Sequence, residues 1–286
     1  MSRILLKSYI ASILITSLVI LGCSSDDGGG GGTTVPSGAV VITEANAHEV
    51  AVTAISGATG LINVIPVAAN IDQELSPMEI VDLVVDKIKN MQGSFISDIP
   101  SGVAIEPIPC SGGGNITGDV TQTATTESGT IIFNSCVEAG ITINGTITYS
   151  ASIDAASNWT LAILGNLSAS DGVDTMSLNG LDFKETGNDI SAEFSINTYE
   201  FAVDFTGGGG FLVQLQAPIV GNEAEFCPTN PRSGIVLITG ANNTRSRATI
   251  NTGGTVTIAF DDGSGTFTEV TVPPPGSPYP CTDFFI

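Results

Sequence analysis

The chain holds one histidine and one tryptophan in 286 residues, and 8 lysines and arginines against 29 acids. A single imidazole excludes every metal centre built on two or more histidines. So few bases, with a net charge of -21, exclude a nucleic-acid partner, because phosphate contacts need clustered Lys and Arg. Charged residues supply 13% of the chain, about half the share usual in soluble domains, and aromatics 6%. Disorder is excluded as well. A disordered acidic chain is poor in apolar residues, whereas this one is 42% hydrophobic with a mean hydropathy of +0.33.

The same scarcities remove most catalytic chemistries. A Ser-His-Asp or Cys-His centre would have to use His48, which stands on a helical segment beside Glu49, and no G-x-S-x-G elbow occurs. The expectation for His48 is a surface or helix-capping role. Paired carboxylates could serve a glycosidase, but sugar sites usually offer aromatic platforms. Trp159 with four tyrosines gives little of that, and Trp159 falls on the apolar side of its strand. Gly112–Gly114 and Gly207–Gly210 lack a P-loop lysine and the strand–glycine–helix context of a phosphate site. The Asn-x-Ser/Thr triplets at Asn115, Asn144, Asn158 and Asn166 are expected by composition alone. Asp261-Asp262-Gly263-Ser264-Gly265-Thr266, with Glu269 beyond, loosely resembles a calcium loop without its central glycine and glutamate spacing; a hairpin turn is simpler. The expectation is no catalytic residue, no cofactor and no metal.

What is present begins at the N-terminus. Arg3 and Lys7 precede an apolar stretch, Tyr9 to Leu21, interrupted only by Ser12, Thr16 and Ser17. It is too short to span a bilayer and has the length of a signal-peptide core. It ends in Ile20-Leu21-Gly22-Cys23, which resembles the cleavage box of bacterial lipoproteins. The resemblance implies that residues 1–22 are a signal peptide and that Cys23 is acylated. Each buried CH₂ contributes about 0.8 kcal/mol, so one chain holds marginally and several hold durably. Ser24 stands where an Asp tends to retain Gram-negative lipoproteins at the inner membrane, so the resemblance implies the outer membrane, on its periplasmic or its outer side. Residues 23–38, with the run Gly28–Gly32, read as a flexible tether. Losing Arg3 and Lys7 leaves 6 bases against 29 acids, a charge of -23, so lipid and not charge must hold the body to an anionic membrane.

Cys110, Cys136, Cys227 and Cys281 remain, an even number in an exported chain, and two disulfides are expected. Cys110–Cys136 and Cys227–Cys281 are the favoured pairs. The first would close the open end of a strand pair, Ile116–Thr123 and Thr130–Asn134; the second would tie down the C-terminal tail. Zinc is the rival reading, and no CxxC pair supports it.

Two helices should open the body, in the segment 39–100 that packs on a sheet. Thr43 would N-cap one reaching about Ser56, with Ala47, Val50, Ala51, Ala54 and Ile55 on one face. Ser76-Pro77-Met78-Glu79 is a capping box for the other, with Ile80, Val81, Val84, Val85, Ile88 and Met91 at helical spacing. From 101 to 286 the period changes to two, as in Ile141, Ile143, Ile147, Tyr149, Ala151 and Ile153 against Thr142, Asn144, Thr146, Thr148, Ser150 and Ser152. Short turns between such runs imply an antiparallel meander of about eleven strands, curled into a barrel, half-barrel or sandwich. The fold class is mainly β (α+β). Asn179-Gly180 shifts the apolar phase and predicts a bulge. A transmembrane barrel is opposed by the Ser/Thr outer face and the shortage of aromatics. The stretch from Cys227-Pro228 through Asp261-Asp262-Gly263 resembles a tail of exported proteobacterial proteins and implies no mechanism.

The expected function is a non-enzymatic structural or interaction module of the cell envelope, meeting an envelope protein through its polar face. The alternative is a carrier for an apolar ligand held between sheet and helix.

Overall fold

Alternating apolar and polar residues can satisfy their backbone only by pairing side by side, and the chain does so with its neighbours in sequence. The structure, a computed structural model, describes residues 33–55, 103–222, 231–273 and 276–284, with six single residues between 77 and 88. Gly32–Ile286 forms one compact unit containing all of them. The strands are β1 (Val103–Pro109), β2 (Gly113–Gln122), β3 (Thr126–Glu138), β4 (Ile141–Ile153), β5 (Asn158–Ser170), β6 (Thr175–Asn188), β7 (Glu193–Phe205), β8 (Phe211–Asn222), β9 (Ser233–Thr239), β10 (Arg245–Asn251), β11 (Thr255–Asp261), β12 (Thr268–Glu269) and β13 (Tyr279–Pro280). They make one antiparallel sheet in sequence order from β1 to β12, with β13 also on β11. The sheet is unclosed: among the described residues β1 bonds only to β2. A closed barrel and a two-sheet sandwich are therefore both set aside. The exposed edge, β1, contains Pro107 and Pro109, which cannot donate to another strand.

The strand count exceeds the expected eleven because β1 and β13 add short pairings at the two ends of the sheet. Within β7 the register to β8 shifts between Ile196 and Glu200. The bulge at Asn179-Gly180 is present, where the β6–β7 register slips between Asn179 and Asp182.

β4 shows how the core is made. Ile141, Ile143, Ile147 and Tyr149 are buried on one side; Thr146, Thr148, Ser150 and Ser152 are exposed on the other. Each fully buried aliphatic contributes roughly 1.5–3 kcal/mol. Gly145 interrupts the inward row opposite Phe133 and Leu167. Its φ is +129°, and a Cβ there would meet the Asn166 carbonyl oxygen at 2.3 Å. Glycine at this place lets β4 take a backbone conformation and an approach to β5 that a side chain would block. Gly145→Ala should lower stability by on the order of 1–3 kcal/mol, read from thermal unfolding. A wild-type midpoint would show that this position tolerates a side chain.

One helix is described, α1 (Ala47–Ile55), and its expected apolar face is its buried face. It begins four residues after Thr43, because Asn46 captures that corner. Thr43 N and Oγ1 donate to Asn46 Oδ1 at 2.7 and 3.2 Å, and Asn46 Nδ2 donates to the Val41 carbonyl at 3.1 Å. A short amide side chain has here made a turn from what looked like a first helical turn. The expectation of two helices is not borne out: the second is not among the described elements. Single residues of its stretch, Pro77, Ile80, Val81, Leu83, Val84 and Ile88, are helical, and Ile80, Val81, Val84 and Ile88 belong to the core.

α1 packs on β9, β10 and β11. Ser246 Oγ donates to the Ala47 carbonyl at 3.0 Å, and Tyr199 of β7 donates to the Ala54 carbonyl at 3.1 Å. The segment before α1 is a strap across one end of the sheet. Gly209 N donates to the Gly38 carbonyl (3.0 Å), Val40 N to that of Gly210 (2.8 Å) and Ala241 N to that of Val40 (2.7 Å). Ile42 N then donates to Thr244 Oγ1 at 2.8 Å. Both the β7–β8 and the β9–β10 turns are thereby tied to residues 38–42.

Candidate functional sites

Of the four cysteines, the structure joins Cys110 and Cys136, with Cα atoms 5.4 Å apart, as the sequence suggested. Cys136 lies within β3 rather than after it. Cys281 is also disulfide-bonded, while Cys227 and the lipidation candidate Cys23 lie outside the described residues. Beside the first cystine sits Glu138, buried, whose oxygens accept from Ser111 N (2.9 Å) and Ser111 Oγ (2.7 Å). Two sulfurs and a carboxylate converge there within 4.8 Å. Sulfur bonded to sulfur is not a thiolate ligand, so this group fastens the β1–β2 corner to β3 instead of holding metal.

The loop after Asp261 has an internal cation partner. Asp261 is fully buried, and its Oδ1 accepts from Gly263 N (3.0 Å) and Gly265 N (2.9 Å). Its Oδ2 accepts from Arg245 Nε at 2.9 Å and from Arg245 Nη2. Burial alone would raise this carboxyl, but the Arg245 guanidinium and the two amides hold it below the usual carboxylate range. Arg245 thus supplies the positive charge that a calcium ion would otherwise bring, and the segment is the hairpin turn expected as the simpler reading. Phe267 lies under both basic side chains of β10, with Arg245 Cζ 5.1 Å and Arg247 Cζ 4.3 Å from its ring centroid.

His48 is placed differently from expectation. It is half-buried, its ring 4.1 Å from that of Tyr279 and 5.6 Å from that of Phe284. It fastens the C-terminal tail to α1. The apolar periodicity around it gave no hint, because its partners arrive from residues more than two hundred positions away. Trp159 is half-buried and packs on the core, as its strand parity suggested.

Sequence reasoning missed one buried polar pair. Tyr149 donates its hydroxyl to Glu127 Oε1 inside the core face. Burial, then the Glu127 carboxylate, push the Tyr149 hydroxyl well above its ordinary value, so the phenol stays protonated. The signal was available: Glu127 shares the inward parity of Ile131 and Phe133.

An open hollow of about 580 Å³ lies at the β4–β5 and β6–β7 turn end of the sheet, bordered by Trp159 and Phe194. A Cβ at Gly187 would lie 2.4 Å from Trp159 Cζ2, so the indole covers that glycine on the core side. The amides on the polar side are committed to the turns. Asn188 Nδ2 donates to Asn158 Oδ1 (2.8 Å) and to the Ala156 carbonyl (3.1 Å), and Asn158 Nδ2 donates to Asp154 Oδ2 (2.8 Å). Their arrangement holds two hairpin loops together. No protein family, curated protein or solved structure matches the chain.

Proposed function

We propose that the chain is a lipid-anchored protein of the bacterial outer membrane, acylated on Cys23, whose β body is a non-enzymatic structural or interaction module. The observation that carries this reading is the strap. Residues 38–42 follow the glycine tether directly and are bonded through main-chain groups to two turns of the sheet. A pull on a lipid at Cys23 is therefore taken up by the sheet and not by α1 alone. In the finer form of the proposal the unclosed sheet is a half-barrel curled on helical segments, and Cys227–Cys281 closes the C-terminal tail. The clusters above support a structural role, since each carboxylate in them is spent on a turn, a corner or a core pair. The carrier alternative, an apolar ligand between the sheet and the stretch Ser76–Met91, is weaker. Ile80, Val81 and Val84 of that stretch, and Ile143, Ile147 and Ile163 on the core face of the sheet, have 0% exposure, so these side chains border no water-sized void.

Cys23→Ala should shift the protein from the membrane pellet to the soluble fraction on cell fractionation. Retention in the pellet of carbonate-washed membranes would show that something other than the lipid holds it.

A further inference from the structure

One cross-strand row on the outer face runs over six strands. Asp182 of β6 stands opposite Glu200 of β7, which stands opposite Gln214 of β8. Gln214 faces Leu237 of β9, Leu237 faces Arg247 of β10, and Arg247 faces Ala259 of β11. Leu237 and Ala259 are buried without belonging to the core. The two ends of this row are unsatisfied. At β10, Arg247 makes no hydrogen bond and no ion pair, and its Cζ lies 4.3 Å from the Phe267 ring centroid. The other described bases are met by carboxylates. Arg232 Nη1 lies 3.4 Å from Glu193 Oε1, Arg245 is locked to Asp261, and the Lys184 charge acts on Asp182. Stacking fixes the plane of the Arg247 guanidinium and leaves its edge donors for a planar anion. At β6 and β7 two carboxylates stand directly opposite across strands, a like-charge pair that is unfavourable by itself. Among the described residues Glu200 accepts only from Gln214 Nε2, at 3.4 Å, and Asp182 accepts from nothing. Burial and then the Glu200 charge push the Asp182 carboxyl above its ordinary value, with Lys184 acting against them.

We infer that this strip of the sheet docks on a second copy of the chain, with Arg247 of each copy against Glu200 of the other. The inference rests on the reading of the body as an interaction module and names its partner. A two-fold axis lying in the interface, along the strands between β8 and β9, exchanges β7 with β10 and β8 with β9. The same rotation sets Gln214 over Leu237 and brings Asp182 within one strand of the incoming guanidinium. The row thus carries its own complement in reversed order. A wholly basic partner would set like charge against Arg247, and a wholly acidic one would do the same to Asp182 and Glu200. The acidity of the chain does not forbid the contact. The charges of Asp182, Glu200 and Arg247 with the adjoining Lys184 sum to zero, and charges beyond about 8 Å are screened at physiological salt. Arg247 on Phe267, with buried Leu237 beside it, is the arginine and aromatic centre that protein interfaces favour. A strip six strands wide and three outward residues long covers about 25 by 20 Å. About 500 Å² on each copy is the size of a weak, reversible interface.

The test is sedimentation velocity of purified full-length protein in detergent, at concentrations up to about 0.5 mM. Wild type should form a dimer. Arg247→Glu sets like charges face to face twice and should weaken association at least about tenfold; Glu200→Arg should do the same. Mixed together, the two variants should dimerise again, because each reversed charge then meets its opposite on the other chain. The double variant Arg247→Glu/Glu200→Arg should recover association for the same reason. A control, Ser128→Glu/Thr148→Glu, adds the same negative charge at exposed positions of β3 and β4 and should keep the wild-type dimer. Circular dichroism checks each fold, and if Arg247→Glu misfolds, Arg247→Gln replaces it with weakened association as the expected result. A wild type that stays monomeric overturns the inference, as does undiminished association of the Arg247 variant. A mixture that remains monomeric overturns the pairing, and a control that dissociates equally assigns the effect to net charge and overturns it too. Failure here leaves the fractionation of Cys23→Ala unaffected, so loss of the partner and loss of the anchor are told apart.

Discussion

Asp261→Ala should cost about 3 kcal/mol of folding stability, which for a body of this size is a fall of roughly 6–12 °C in the unfolding midpoint. The carboxylate is fully buried and accepts four hydrogen bonds, two from the Arg245 guanidinium and two from the backbone of its own loop. Truncation leaves Gly263 N and Gly265 N without their acceptor and Arg245 without its counter-charge. Arg245 is 30% exposed and can turn toward water, which keeps the cost at the low end for a broken buried pair. Asp261→Asn retains an acceptor for the two amides and should cost roughly half as much. Differential scanning calorimetry of the three proteins decides the matter; an alanine variant within a degree of wild type would mean that the loop is held by its backbone alone. The pH dependence has a fixed sign. A carboxyl held below its unfolded value stabilises fully above the ordinary Asp range, near pH 4, and loses that contribution as pH falls through the native value. Wild type should therefore lose stability on acidification below about pH 4 more steeply than Asp261→Asn, which has no carboxyl to protonate.

That same loop shows where reading the chain alone stops. Period-two alternation made the sheet legible, strand by strand, because one buried face leaves a mark on every second residue. The face of α1 was legible for the same reason at a different period. Its start was not, since Asn46 and Thr43 settle that corner through a side chain whose preference for turn over helix is a fraction of a kcal/mol. Asp261-Asp262-Gly263 could be read as a turn but not as an ion pair, because Arg245 reaches it across a strand register that spacing does not encode. His48 and Tyr279 meet for a similar reason, through a tail that returns to the helix from the far end of the chain. Long-range polar partners are invisible to periodicity.

The Cys110–Cys136 bond should contribute about 3.5 kcal/mol, the chain-entropy value for a loop closed over a separation of 26 residues. The argument is stronger here than for an arbitrary cystine. The loop it closes contains β2 and most of β3, and β1, next to Cys110, is the unpaired edge of an open sheet. Among the described residues no strand pairs with the far side of β1, so the covalent link from its C-terminal end to β3 limits local opening of that edge as well as the unfolded ensemble. Cys110→Ala/Cys136→Ala should then lower the unfolding midpoint by roughly 7–14 °C. It should also raise hydrogen exchange in β1 and β2 before the rest of the sheet. Replacing both cysteines avoids a lone thiol that could scramble with Cys281. Uniform loss of protection across all strands would place the effect in the unfolded chain alone and remove the edge from the account. Protection lost first at β1 would mark the cystine as the clamp on the sheet's open side.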